Sequence, residues 1–447
     1  MTALYACDLS DNGLVNPRPV QDDYTGADAL VFVLPANLVP VALHAAGNVE
    51  SHVEPGDPAT IAFAGLLPRT LADIQTALAS YAATTITCDA ADLRRAIKQC
   101  QRAINKKTTL PILSHVRIVA CGDSIAVTAT DLQTAVTVDV PARMTGLTRT
   151  CVLPEALARA LPPKGDLDIQ AIADGLDGIT VNGIPIGGLP DDEFPFVPPV
   201  DGPTATVNVA ELSAAWETVK RAVSKDPTRA RLTGVLLEAH NGLLNIVATD
   251  THRMAVDALP WNGPDLMAII PAGSMAILCA TMDAHKGGLV EVTWQNHAHL
   301  CEAERVEFRG AGYTVTARTV DGCFPNWRKC LPDTKFMDLV NINGAAFTAA
   351  LKRLDLKERE LVEFGLRPGT VTVRHQTKGQ PSATLIDLDC QTDIPALRAA
   401  FNGRFVLDAL ASLGADVYGW YVLAADQPCV FIGQHGQSIT LMPMQLV

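Results

Sequence analysis

Along Leu244–Thr249 the side chains alternate: Leu244, Ile246 and Ala248 fall on one face of a strand, and Asn245, Val247 and Thr249 on the other. Asp250 and Thr251 then break the pattern with short oxygen-bearing side chains of the kind that bond nearby backbone amides in turns. Past them, Met254 and Val256 share one face, and Arg253 and Ala255 the other. Two strands joined by a tight polar turn are predicted, which taken alone is an ordinary hairpin. A shorter copy, Thr128-Ala-Thr-Asp131, stands roughly 120 residues upstream.

That copy belongs to a longer repeat. Leu93, Ile97, Cys100 and Ile104 stripe one face of a helix predicted over Asp89–Lys107. Leu212, Trp216, Val219 and Val223 repeat the spacing, and Phe347, Leu351 and Leu354 repeat it more briefly. Each apolar face carries a basic step: Lys98, then Lys220-Arg221, then Lys352-Arg353. A second helix is predicted after Pro154, after Pro271 and around Phe405–Leu413, with alternating strands over Ile125–Val140, Leu236–Val256 and Thr370–Leu388. The first two units close on Glu193-Phe-Pro195 and Cys323-Phe-Pro325, where proline stops a strand. The third lacks the Thr-Asp turn and has the loop Thr377-Lys-Gly-Gln380 instead. The fold class is therefore α+β: three tandem domains over 86–202, 203–333 and 334–447, each with two helices on antiparallel sheet. Residues 1–85 read as a small folded N-terminal appendage of unassigned role. Ala29–Leu34 and Leu38–Leu43 are predicted strands there, and Leu71–Tyr81 a helix with Leu71, Ile74 and Leu78 on one face.

Composition narrows the function. A chain of 447 residues, 48% of them hydrophobic, can bury several cores. A formal charge of -13 argues against wrapping nucleic acid by global charge, but leaves room for local basic strips. Eleven cysteines without a CxxC pair, and a start without a basic-then-apolar leader, predict free thiols in a reducing cytoplasm. No apolar run reaches the roughly 18 residues of a membrane span, so no membrane partner is expected.

No phosphate-cradling or nucleophile-elbow motif occurs, and no carboxylate cluster has a catalytic context; neither catalytic residues nor a cofactor are predicted. His297, His299 and Cys301 would share a strand face as metal ligands do, but lack a matching second ligand pair, so no metal site is predicted. Basic residues recur instead. Arg94, Arg95, Lys98, Arg102, Lys106 and Lys107 lie on the polar side of the first helix and its exit, and Arg159 and Lys164 flank the second. Lys220, Arg221, Lys225, Arg229 and Arg231 repeat the arrangement, with Lys352 in the third unit. A charge run is commonly a solvated face. Its repetition, without interleaved aromatics, fits sequence-blind contact with duplex DNA.

The Val247–Val256 hairpin, its upstream copy and the tail Leu441-Met-Pro-Met-Gln-Leu-Val447 together resemble the bacterial DNA polymerase III beta subunit, the sliding-clamp family, with its TDGHR-type hairpin and MPMRL-type tail. The resemblance covers about 86–447. It implies a homodimeric ring of three-domain arcs, with helices lining a hole and sheets forming the rim, around double-stranded DNA. It implies a processivity factor for a DNA polymerase, opened by an ATP-driven clamp loader, both partners docking through short linear motifs. Lys107, Arg159 and Arg229 match DNA-contacting positions of the family. Leu232, Gly234, Thr249, His252, Arg253, Met254, Cys429, Met442, Pro443 and Met444 match its partner-peptide pocket. Ring closure implies edge pairing between the first domain and the third domain of the other subunit, with Val181–Gly188, carrying Ile184 and Ile186, on one side and Leu354 and Leu356 on the other.

Three departures stand out. Thr251 replaces the usual glycine, Gln445 the arginine of the tail, and Val447 follows the usual last leucine. They bear on partner specificity and are compatible with a phage or mobile-element clamp. A clamp-like peptide-docking protein that does not encircle DNA, and an enzyme using His297, His299 and Cys301 or the first 85 residues, are the alternatives.

Overall fold

The computed structural model describes residues 5–10, 13–19, 29–34, 51–54, 59–64, 85–104, 108–121, 123–144, 148–171, 178–285, 288–296, 303–354, 356–357, 360–376, 383–414 and 419–445. Contacts divide the chain into two compact units, 1–197 and 198–447.

The first unit opens with a five-stranded sheet in the order Gly13–Pro19, Tyr5–Ser10, Ala29–Leu34, Ala59–Ala64, Ser51–Glu54. Tyr5–Ser10 and Ala29–Leu34 run parallel; the other pairings are antiparallel. Ala29–Leu34 is thus the strand its apolar run predicts, while the Leu38–Leu43 strand and Leu71–Tyr81 helix lie outside the described residues.

The rest of the unit carries helices α1 (Ala90–Cys100) and α2 (Pro154–Ala160). Asp89 caps α1 by accepting from the backbone of Ala91 and Asp92 at 2.8 and 3.1 Å. Leu93, Ile97 and Cys100 are buried as the helical spacing requires, each apolar side chain contributing about 1.5–3 kcal/mol. The α-helix is shorter than its stripe suggests: a 3-10 turn, Gln101–Ala103, ends it, and Ile104 is only half-buried. Thr85–Asp89 pairs with Asp166–Ala171 and with the end of Thr134–Met144. Thr134–Met144 folds back along Ser124–Thr130, and Val116–Cys121 and Thr148–Val152 follow in turn.

The predicted strand Val181–Gly188 is instead a hairpin of Gly178–Val181 and Ile184–Leu189. Asn182 and Gly183 both take positive φ, 50° and 79°, and form the tight turn that this dipeptide favours.

The second unit holds α3 (Val209–Val219), α4 (Ala272–His285), α5 (Gly344–Lys352) and α6 (Gly403–Leu413). Asn208, Asn343 and Asn402 cap α3, α5 and α6 through their side-chain oxygens. A four-stranded sheet runs Thr204–Asn208, Leu289–Asn296, Ala303–Gly310, Tyr313–Arg318. A longer antiparallel run starts Leu266–Pro271, Gly234–His240, Leu243–Thr249, Arg253–Pro260. It passes through Ser438–Leu441, Cys429–Ile432, Gly419–Val422 and Asp338–Ile342. Thr384–Gln391, Thr370–His375, Leu361–Arg367 and Leu397–Asn402 complete it. The last two predicted repeats therefore share one continuous sheet.

Beneath α5 and α6 lies an aromatic core: Trp420 stacks on Phe431 at 5.6 Å, and Phe364 meets Phe347 and Trp420 edge-on. Leu354 belongs to this interior at 7% exposure, and Leu356 lies against Gly403, where an added Cβ would come within 2.6 Å of its methyl. Leu354 is therefore buried within the unit, whereas Leu356 is half-buried. Phe347→Ala should empty a fully buried site and cost about 3–5 kcal/mol, read as a lower urea midpoint.

Candidate functional site

The turn between Leu243–Thr249 and Arg253–Pro260 is held almost wholly by its own side chains. Asp250 Oδ1 accepts from the amides of His252 and Arg253, both at 2.9 Å. Thr249 Oγ1 donates to the Arg253 carbonyl at 2.7 Å and accepts from the Thr251 amide at 3.2 Å. Thr251 sits at φ 76°, the left-handed region that disfavours a β-branched residue. The upstream copy repeats these bonds: Asp131 accepts from the amides of Gln133 and Thr134, Thr130 donates to the Thr134 carbonyl, and Leu132 takes φ 74°.

The two segments that sequence places about 190 residues apart meet here. Ser438–Leu441 pairs with the first residues after the turn, Arg253 opposite Leu441 and Met254 opposite Thr440. The ladder continues into the tail, where the Met442 amide donates to the His252 carbonyl at 2.8 Å and the Met444 amide to the Ala400 carbonyl at 2.8 Å. Met442 is 46% exposed; His252 and Thr251 are exposed beside it. Met254 is buried in a cluster with Leu236, Val247, Val256, Ile269 and Trp327, against which Val320, Phe324 and Leu331 pack half-buried. Leu232, buried, ends the 3-10 segment Pro227–Leu232. Gly234 begins the next strand, where a Cβ would come within 2.7 Å of the Ile270 carbonyl. A buried apolar cluster, an exposed methionine and a polar turn thus come together where the tail joins the sheet.

The matched residues take different stations. Cys429 is interior, opposite Leu441, and burial pushes its thiol up to about 12. Pro443 and Met444 are half-buried. Arg253 is a tie rather than a free rim charge: Nε donates to Asp250 at 2.9 Å, Nη1 to Asp408 of α6 at 2.7 Å, and its guanidinium lies 4.2 Å from the Phe405 ring centre. The sequence gives no site role to Asp408, Phe405 or Trp327, because their roles arise only when distant segments fold together. Cys323-Phe-Pro325, read there as a strand stop, was the signal pointing towards Phe324.

The basic residues are likewise sorted by geometry. Arg94 departs from the solvated face: it is half-buried and donates to the carbonyls of Ala158, Leu161 and Pro162 at 3.2, 2.6 and 3.1 Å, binding the C-terminal end of α2 to α1. Lys98, Arg159, Lys225, Arg231 and Lys352 are exposed. Lys220 is half-buried and paired with Glu217, and Arg221 reaches Ser412 at 3.4 Å and Asp408 at 3.9 Å. Arg229 reaches the turn, its Nη1 donating to Thr251 Oγ1 at 2.8 Å and its Nε 3.5 Å from Asp226. The side-chain hydrogen bond from Thr228 comes first among the causes holding the Asp226 carboxyl below its usual range. Lys107, and His297, His299 and Cys301 with it, lie outside the described residues, among which no group of metal-ligating side chains gathers. No helix there is long and apolar enough to cross a membrane.

Each unit also has an incompletely paired strand. Ile184–Leu189 pairs on one side with Gly178–Val181, and on the other only through Gly188 and Leu189. Ile184 is 53% exposed, while Ile186 is buried. Thr384–Gln391 pairs with Thr370–His375 and otherwise only through Cys390 and Gln391, leaving Leu385 63% exposed.

Residues 84–162 match the family model of the DNA polymerase III beta subunit N-terminal domain, and 206–326 that of its central domain. A beta sliding clamp of Caulobacter vibrioides is 24% identical over 384 residues, covering 81% of this chain and 100% of the relative. That of a Synechocystis species is 26% identical over 399 residues, covering 81% and 99%. Among solved structures, the Thermotoga maritima DNA polymerase III beta subunit superposes with a TM-score of 0.72 at 23% identity, covering 81% of this chain and 100% of its own. A Pseudomonas aeruginosa sliding clamp bound to griselimycin gives 0.72 at 21%, with the same coverage.

The Arg253 tie makes a direct prediction. Arg253→Gln keeps length but loses the charge shared between Asp250 and Asp408, and should cost about 2–3 kcal/mol in urea unfolding. A loss under about 0.5 kcal/mol would mean that solvent already screens the pair.

Proposed function

The chain belongs to the DNA polymerase III beta subunit family, and we propose that it is a sliding clamp: a homodimeric ring that encircles duplex DNA and tethers a replicative polymerase through its groove. The observation that carries this reading is the meeting of the Thr249–Arg253 turn with the Ser438–Met444 tail over one apolar floor. Exposed thioether beside buried aliphatic and aromatic carbon suits capture of short apolar peptide segments, because methionine repacks at little cost. Polymerase and loader would dock there in turn. The griselimycin-bound relative supports a ligand site on this fold.

The role is non-catalytic. Encirclement prevents escape, and weak phosphate contacts allow sliding. Lys98, Arg159, Lys225, Arg231 and Lys352 are the exposed candidates for those contacts, while Lys220 and Arg221 are partly spent on Glu217 and Asp408 and Arg94 on α2. Tethering raises the polymerase's effective concentration at the primer end without changing its chemistry. The domains are 86–202, 203–333 and 334–447, after the N-terminal sheet.

Ring closure is best served by the two incompletely paired strands. Ile184–Leu189 of one copy and Thr384–Gln391 of another each present backbone groups and an exposed aliphatic residue, Ile184 and Leu385, as edges that pair do. Light scattering should give a dimer for the native chain and monomers for Ile184→Lys and for Leu385→Lys. Dimers from both variants would remove this interface. Griselimycin should bind the native chain and be weakened at least about tenfold by Met442→Glu, which puts an unpaired charge on the groove lip. Equal binding by both would place the ligand elsewhere and overturn the groove.

A further inference from the structure

Thr251, an exposed β-branched residue, holds the left-handed backbone at φ 76° that a glycine would adopt without strain. Its twin in the first unit shows that the turn does not need the hydroxyl: Leu132 holds φ 74° with the same surrounding bonds. What the hydroxyl does is accept from Arg229 Nη1 at 2.8 Å, spanning from the turn to the segment that ends at Leu232. Asp226 holds the same guanidinium from the other side, its Oδ2 3.5 Å from Nε. Among the described residues nothing bonds Nη2. Lys225 and Arg231, exposed on either side of Arg229 in the chain, add positive charge near it.

We propose that Thr251 is a positioning residue for partner choice. It holds Arg229 at the mouth of the groove, so that Nη2 receives a carboxylate from the docking peptide, and the preferred partner is an acidic–apolar segment. The inference rests on the groove being the docking site. A guanidinium already held in place loses less side-chain freedom when the carboxylate arrives. The resulting ion pair, charged on both partners, exceeds the bond to the uncharged Thr251 hydroxyl, which stays in place.

The test uses the full-length dimer and two fluorescein-labelled peptides sharing a Leu-Ile-Phe end, one with Glu and one with Ala shortly before it. Fluorescence anisotropy should show the native chain favouring the Glu peptide by about fivefold or more. Thr251→Ser, which keeps the hydroxyl, should retain that ratio. Thr251→Val and Thr251→Gly should pull it towards unity, and Arg229→Ala should abolish it. Thr251→Gly removes backbone strain, so its melting temperature should hold or rise, separating a positioning role from a folding one.

A ratio unchanged in Thr251→Val overturns the proposal, as does a Thr251→Ser variant that behaves like Thr251→Gly. If Arg229→Ala leaves the ratio intact and weakens only duplex DNA binding, Arg229 is a phosphate contact and the proposal falls. Griselimycin bound at the Met442 lip with neither peptide bound defeats the acidic–apolar partner alone. Loss of both ligands defeats the groove itself.

Discussion

The antiparallel pairing of Arg253–Val256 with Ser438–Leu441 is the contact on which the rest of the second unit depends. It makes one continuous sheet from two sequence repeats and brings the chain's tail beside the polar turn. Backbone bonds supply the register, and Arg253 secures it by reaching both Asp250 of its own turn and Asp408 of α6. The residues that join the repeats are the ones proposed to receive a partner, so that surface exists only when the join is made. The Met442 amide, bonded to the His252 carbonyl, carries that join into the tail.

Charge is used sparingly on this chain. Its net charge is -13, and several basic side chains on the helices are occupied by carbonyls or carboxylates of the same unit. Weak contact suits a clamp, because a ring held by topology needs phosphate contacts that centre it without stopping it. Strong, numerous contacts would make affinity steeply salt-dependent and sliding slow.

Much of this was legible in the sequence. Leu93, Ile97 and Cys100, and their counterparts Leu212, Trp216 and Val219, are buried because helical spacing leaves them one apolar environment to face. The Thr-Asp turn was readable because its bonds are local, made by Thr249 and Asp250 to amides within a few residues. Features that depend on distant partners were not. Arg94 looks like any solvated helical arginine until α2 presents its carbonyls, and Leu354 looks like an edge residue until the third repeat closes over it. Asn182-Gly183 was a readable hairpin signal, hidden by treating Val181–Gly188 as a single strand. Leu385 could be recognised only from the pairing of Thr384–Gln391, since an alternating strand does not announce which edge is left open.

Encirclement is a topological link, and retention on DNA reads that link out. The protein is loaded onto nicked circular DNA by a bacterial clamp loader that loads a control clamp in the same reaction. The sample is washed in high salt, and half of it is linearised. An encircling ring stays on the circle and leaves the linear DNA by its ends. Release from both forms as salt rises, with the control clamp retained on its circle, would mean binding by charge alone and would contradict the account.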